Sequence, residues 1–186
     1  NAAFARGMSK TEEVLKENPN HAEALVWHGA GLFFQSGQLF ANKDIAKGME
    51  LYGRGLGEMS KAVELEPKNI GIRIPRAAAL SGGARRMPPD MAKPLFLFVL
   101  DDYKTVYALQ EKQIDQLGVH PKGELLFGLA DTYSRLGDAT NAAQFFAMLK
   151  EKLPNTAYAK RADLWLESRQ PLPVEQTACL GCHTGK

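Results

Sequence analysis

The stretch GELLFGLADTYSRLGDATNAAQFFAMLKEKLPNT, residues 123–156, decides the fold. Leu126, Leu129, Ala130 and Tyr133 recur at steps of three and four, which places them on one face of a helix. Gly137-Asp138 interrupt that pattern with residues suited to a turn. Ala142, Phe146 and Leu149 then build a second helical face, and Pro154-Asn155 mark its end. A pair of short helices joined by a tight turn cannot bury both apolar faces alone. Neighbours of the same kind are therefore expected on either side.

The unit resembles the tetratricopeptide repeat, a helix-turn-helix of about 34 residues whose small residues let paired helices approach and whose proline closes the second helix. The resemblance implies an all-α array of about three repeats with half-repeats and a capping helix, and a surface suited to docking another protein. Looser copies lie upstream. Ala22-Glu23-Ala24-Leu25, with Gly29 and a turn at Ser36-Gly37, reads as a first helix in which Trp27 and Phe33 supply bulk. Its partner carries Met49, Tyr52, Leu56, Met59, Ala62 and Leu65 and ends at Pro67-Lys68-Asn69, with an insertion over residues 38–47 between the two. Residues 4–16, closed by Asn18-Pro19-Asn20, read as the second helix of a half-repeat. The closing punctuation recurs at Pro19, Pro67, Pro121 and Pro154. Only the last interval is close to a regular repeat, so the first two carry insertions.

Residues 70–80 should open the next repeat, with Pro75 kinking or delaying the helix. The Gly- and Pro-rich residues 81–90 should not be continuous helix. After Pro94 a long helix is expected, with Leu95, Phe98, Val99, Tyr103, Val106, Leu109, Ile114 and Leu117 on its apolar face, stopping near Gly118. Residues 158–168, with Leu164 and Trp165, read as a cap for the open end of the stack. The organisation expected is a repeat domain over residues 1–169 and a Pro-flanked tail over 170–186. In that tail, residues 174–182 form one more short helix.

The tail holds the only two cysteines of the chain, in Cys179-Leu180-Gly181-Cys182-His183. This is C-x-x-C-H, the spacing of a c-type haem attachment motif. Two thiols three positions apart can each add to one vinyl group of a porphyrin, and the next imidazole is then held at the iron. Other chemistries use the same residues. A zinc site would have to recruit His21, His28 or His120 to reach four ligands. A thioredoxin-like pair would want a strand-helix context, which a Pro-rich linker does not provide. A plain disulfide or two free thiols is the third alternative.

The pentapeptide resembles the c-type cytochromes. That resemblance implies one covalent haem c, thioethers from Cys179 and Cys182, and His183 as proximal iron ligand. It also implies export, to the periplasm in a bacterium, because haem is attached outside the cytoplasm. Asn1 in place of an initiator Met is expected to mark a processed start.

The distal ligand is open. Met87-Pro88-Pro89 resembles the Met-Pro loop of many small c-type cytochromes, which makes Met87 the candidate, against the reading of an ordinary mobile loop. Met91, His28, His120, His21, water or a neighbouring chain are the alternatives. Arg85 and Arg86 either pair with haem propionates or form a solvated charge pair. Met49, Met59 and Met148 fall at helical positions and read as core filling.

Composition narrows the functions. Lys and Arg number 23 against 21 Asp and Glu, a formal charge of +2, which gives no basic face for nucleic acid. The longest apolar run, residues 95–100, falls far short of the ~20 residues a bilayer span needs. No acid-base pair for peroxidase chemistry stands out, so catalysis ranks below electron transfer. The expected function is electron transfer, docking, or both, with a protein redox partner. A haem-based gas or redox sensor with an open sixth position is one alternative, and a haem-free peptide-binding adaptor is another. A homodimer formed by exchange of the tail about Pro171 and Pro173 is a further expectation.

Overall fold

The structure, a computed structural model, describes residues 2–177, and among them all regular structure is helical. Helices α1 (Ala2–Glu17), α2 (Ala22–Ala41), α3 (Ile45–Leu65), α4 (Ile70–Ala84), α5 (Pro89–Gln110), α6 (Val119–Arg135), α7 (Ala139–Lys152) and α8 (Ala157–Ser168) follow one another. Single 3-10 segments lie at Glu111–Gln116 and Val174–Gln176. The chain forms two compact units, Asn1–Gly83 and Ala84–Lys186.

Two of the connections are built alike. In Asn42-Lys43-Asp44 the three amides donate to the carbonyls of Gln38, Phe40 and Leu39 at 3.0 Å each. In Leu136-Gly137-Asp138 the same three offsets recur, to Thr132, Ser134 and Tyr133 at 3.0, 3.1 and 2.9 Å. The central residue is left-handed in both, with φ 64° at Lys43 and 84° at Gly137. This closure satisfies the orphan carbonyls at a helix end. The aspartate then caps the next helix: its carboxylate accepts from Lys47 N at 3.3 Å in one turn and from Asn141 N at 3.0 Å in the other. Asn155, at φ 62°, and Thr156, whose hydroxyl accepts from Ala159 N at 3.2 Å, repeat the idea before α8.

In unit 1, α2 and α3 cross with almost no side chain between them. A Cβ on Gly29 would lie 2.7 Å from the Gly55 carbonyl oxygen, and one on Gly55 would lie 2.7 Å from that of Gly29. Leu25, Val26, Leu32 and Phe33 of α2 and Met59, Ala62 and Val63 of α3 are buried. Trp27 and Met49, expected in this core, are instead 53% and 57% exposed. The buried stripe of α2 runs through positions 25, 28, 29, 32 and 36, and Trp27 lies off it. Helix α1 contributes no buried residue. It rests on α2 through Met8, set against Gly31, and through Phe4, whose ring is 5.5 Å from that of Phe34.

Three expected breaks are absent. Ser36-Gly37 lies inside α2, because the Ser36 hydroxyl donates back to the Phe33 carbonyl at 2.7 Å and leaves the backbone ladder alone. Helix α4 runs through Pro75 to Ala84, so the irregular connection shrinks to residues 85–88. Helix α5 starts at Pro89, not after Pro94. Pro75 and Pro94 occupy equivalent places, in the second turn of their helices. The carbonyls each leaves without its i+4 amide donor are those of Gly71 and Asp90, in exposed first turns open to water. The far end of α5 also differs, tightening into the 3-10 segment Glu111–Gln116.

Unit 2 is organised around α6, buried on nearly every side from Leu125 to Thr132, as an all-round apolar helix must be. The expected faces meet there: Leu126, Leu129 and Ala130 from α6, and Ala142, Phe146 and Leu149 from α7, are wholly buried. Phe146 stacks on Trp165 of α8 at 4.8 Å between ring centroids. One polar atom is out of place: Thr132 is 1% exposed, and its hydroxyl has no hydrogen-bond partner among the described residues. Thr132→Val, which keeps the shape and removes the orphan, should leave stability unchanged or raise it by about 1 kcal/mol in urea unfolding. A loss of that size would mean that the hydroxyl is satisfied.

Candidate functional site

Cys179, Cys182 and His183 lie outside the described residues, so the site is approached from the chain leading to them. Helix α8 ends at Arg169, which is left-handed at φ 56° and donates its amide to the Trp165 carbonyl at 2.7 Å. Its guanidinium lies over the Trp165 ring, 5.3 Å from the centroid. Pro171 and Pro173 then hold the backbone on either side of Leu172 and remove two amides that would need acceptors. A segment with so few donors can lie flat on a protein surface. Leu172 is 3% exposed, and Thr177, two residues before Cys179, is 5% exposed. The short 3-10 segment Val174–Gln176 connects them, closed by the Thr177 hydroxyl on the Val174 carbonyl at 2.8 Å.

One side chain holds this segment by its backbone. Arg135, at the end of α6, donates from Nη2 to the Leu172 carbonyl at 2.7 Å. Its Nε donates to both carboxylate oxygens of Asp131 at 3.0 Å, and the guanidinium lies 5.8 Å from the centroid of the Phe96 ring. Asp131 is 1% exposed and accepts a second arginine: Arg85 Nε at 2.9 Å and Nη2 at 2.8 Å. A carboxylate so deeply buried needs such partners, because its desolvation is not otherwise offset. Arg85 begins the connection, residues 85–88, that carries Met87. Met87 itself is half-buried and donates its amide to the Ala84 carbonyl at 3.0 Å.

Arg85, read from sequence as a propionate partner or a solvated charge, is thus committed to Asp131. That pairing was missed because its partner is distant in sequence. The Asp131-Arg135 half was open to view, as opposite charges four apart on one helix inside an otherwise apolar run.

The remaining candidates are scattered. His21 caps α2, its Nδ1 accepting from Ala24 N at 3.2 Å. His28, 2% exposed in unit 1, holds Glu58 through Nδ1 at 2.5 Å and faces Glu12 from Nε2 at 3.7 Å, so both ring nitrogens look onto carboxylates. His120 lies in the first turn of α6, with Nδ1 3.3 Å from the Tyr158 hydroxyl. Met91 is 64% exposed and Met59 wholly buried, while Met148 accepts from the Tyr107 hydroxyl at 3.8 Å. Burial first, and then the nearby carboxylates of Glu111 and Asp138, push the Tyr107 and Tyr133 phenols above their ordinary range, so both remain donors at neutral pH. Among the described residues no group of three or more His, Cys, Asp or Glu could hold a metal ion, and no helix is long and apolar enough to cross a membrane. Compared with family models, curated proteins and solved structures, the chain matches none, and its chemistry is argued from its own residues alone.

Proposed function

We propose that the chain is an exported monohaem c-type cytochrome on a tetratricopeptide-like scaffold, serving electron transfer and docking to a protein redox partner. The observation that carries this reading is the economy of its sulfur chemistry. The only cysteines are Cys179 and Cys182, at the attachment spacing, with His183 at the one position the motif needs. The twin turns at Lys43 and Gly137, with identical hydrogen-bond offsets, support the repeat. The anchoring of Leu172 and Thr177 supports a tail that serves its own unit, and exchange between protomers would have to break the Arg135 hydrogen bond.

In this reading Cys179 and Cys182 would hold the group, each thiol S–H adding across one vinyl double bond to give a thioether with no oxidant consumed. His183 and Met87 are the side chains that would hold its iron. When bound, the haem iron supplies one-electron exchange between its ferric and ferrous states, at a potential that a thioether ligand raises. The protein would contribute the thiols and imidazole of the tail, the Met87 thioether and a helical surface. A transient redox contact needs only a small footprint, below ~1,200 Å² in total.

The test is the intact mass and visible spectrum of the full chain, exported by a host that matures c-type cytochromes. Wild type is expected to carry one haem that stays on the polypeptide after denaturation, with sharp bands on reduction. The Cys179→Ser, Cys182→Ser double variant should lose all of it. A wild-type mass equal to the bare polypeptide would overturn the haem and leave a repeat adaptor.

A further inference from the structure

The geometry points to the seat of Leu172 on unit 2 as a docking site for a partner protein, one that presents an extended segment with a leucine between two prolines. Residues 170–177 of the chain itself, a Pro-flanked strap, fill that seat in this structure. Seat and strap are built wholly from described residues and owe nothing to the haem.

The polar half of the seat is held in place without help from its occupant. Arg135 sets Nε against both carboxylate oxygens of Asp131 at 3.0 Å, and the buried Phe96 ring lies 5.8 Å from the guanidinium. Arg85 holds the same carboxylate at 2.8 Å, so Asp131 has a second anchor. Nη2 of Arg135 is thereby aimed before any ligand arrives, and it donates to the Leu172 carbonyl at 2.7 Å. A donor to the main chain reads an extended backbone whatever side chains it carries. Selectivity comes from the side chain of Leu172, which is buried while Pro171 and Pro173 beside it are exposed.

The strap is held lightly. Among the described residues, the Arg135 hydrogen bond is the only one that joins residues 170–177 to a residue more than three positions away. The others, from Gln170 to Ser168, Gln176 to Pro173 and Thr177 to Val174, are local. A segment with one such bond and few buried side chains opens at a lower free energy than the helices beneath it. What replaces it has to match it. Prolines fix their own φ and hold the preceding residue extended, so a Pro-Leu-Pro segment is straight before it binds and loses little entropy in the seat. Pro173, at φ −53° and ψ 149°, has that conformation here. A helical segment would bring carbonyls already in use, and a charged side chain in place of the leucine would be buried unpaired. The strap in turn sets a threshold, because a tethered competitor acts at a high effective concentration.

The experiment uses the full chain and, as probe, a synthetic peptide of residues 169–177, followed by NMR titration. The Leu172→Ser chain should leave the seat empty and bind the peptide ~10-fold or more tighter than wild type, whose strap competes. Adding Arg135→Lys to Leu172→Ser should weaken binding ~10-fold, the equivalent of one lost charge-assisted hydrogen bond. A peptide that itself carries Leu172→Ser should not bind. In wild type, saturating peptide should displace the strap and speed amide hydrogen exchange over residues 172–177. That arm needs no variant, and it carries the test should Leu172→Ser not fold.

Equal affinities of wild type and Leu172→Ser, binding of the substituted peptide, or unchanged exchange at saturation would each overturn the inference. So would a wild-type dimer that forms with concentration and is lost in Leu172→Ser, since a second copy would then be the occupant. None of these results depends on whether the chain carries haem, so the failure of one reading leaves the other standing.

Discussion

Trp165→Ala is expected to cost unit 2 about 3–5 kcal/mol, the range for emptying a large aromatic from a packed core. Trp165 is 1% exposed, stacks on the wholly buried Phe146 and donates Nε1 to the Ser134 hydroxyl at 2.6 Å. Removing the indole opens a void against α6 and α7 and leaves Ser134 without its donor. It also takes away the ring under Arg169, where the tail leaves α8. For a unit of about 100 residues, such a loss lowers the melting temperature by ~12 °C or more. The neighbouring Leu164, 44% exposed, makes the control. Leu164→Ala should cost under ~1 kcal/mol, as surface changes do. Equal melting temperatures for the two variants would refute the packing described for α8.

Adding one methyl group to α6 should be nearly as damaging. A Cβ on Gly128 would lie 2.3 Å from the ring of Tyr103, and one on Gly123 would lie 2.3 Å from the ring of Tyr158. Neither ring has room to retreat. Tyr103 is 1% exposed and its hydroxyl donates to Glu124 at 2.9 Å, while Tyr158 is 5% exposed with its hydroxyl against His120. Overpacking of this kind costs ~1–3 kcal/mol, and Gly128→Ala should reach the top of that range because it meets the more deeply buried ring. The opposite sign is expected at Gly57 in α3, where a Cβ would meet nothing within 4 Å. Gly57→Ala should stabilise by about 0.5–1 kcal/mol, through lower backbone entropy of the unfolded chain. Denaturant midpoints of both variants, read in parallel, check the pair, and a stable Gly128→Ala would refute the close packing of Tyr103 on Gly128.

The part of the fold legible in the sequence was the part governed by local periodicity. In residues 123–156 the spacing of Leu126, Leu129 and Ala130 and of Ala142, Phe146 and Leu149 named the buried faces, and Gly137-Asp138 named the turn. Upstream, the same reasoning failed where a residue type was taken for its position. Trp27 and Met49 were assigned inward because they are large and apolar, yet each lies beside the buried stripe of its helix. Lys43 hid a turn equal to that at Gly137, because a lysine in the left-handed region carries no composition signal. Prolines misled in the other direction, since a proline in the second turn costs only one first-turn hydrogen bond that water can replace. Of the site, the motif at Cys179 and the Asp131-Arg135 spacing were visible, and the pairing of Arg85 with Asp131 was not. A helix face shows which residues are apolar, but not which of its few charges will find a distant partner.

Helix α1 leaves a consequence of a different kind. None of its described residues is buried, and its contacts include a thioether against a glycine, one pair of rings and a long approach of Glu12 to His28. Such an element opens at a free energy well below that of the body it rests on. Arg6, Lys10 and Lys16 on it are the bonds that a trypsin-like protease would reach first. A cut there would uncover the Gly31 groove beside Phe34 and Trp27, which are more than half exposed even when α1 is docked. The shortened chain, though its core is untouched, would then be the stickier of the two.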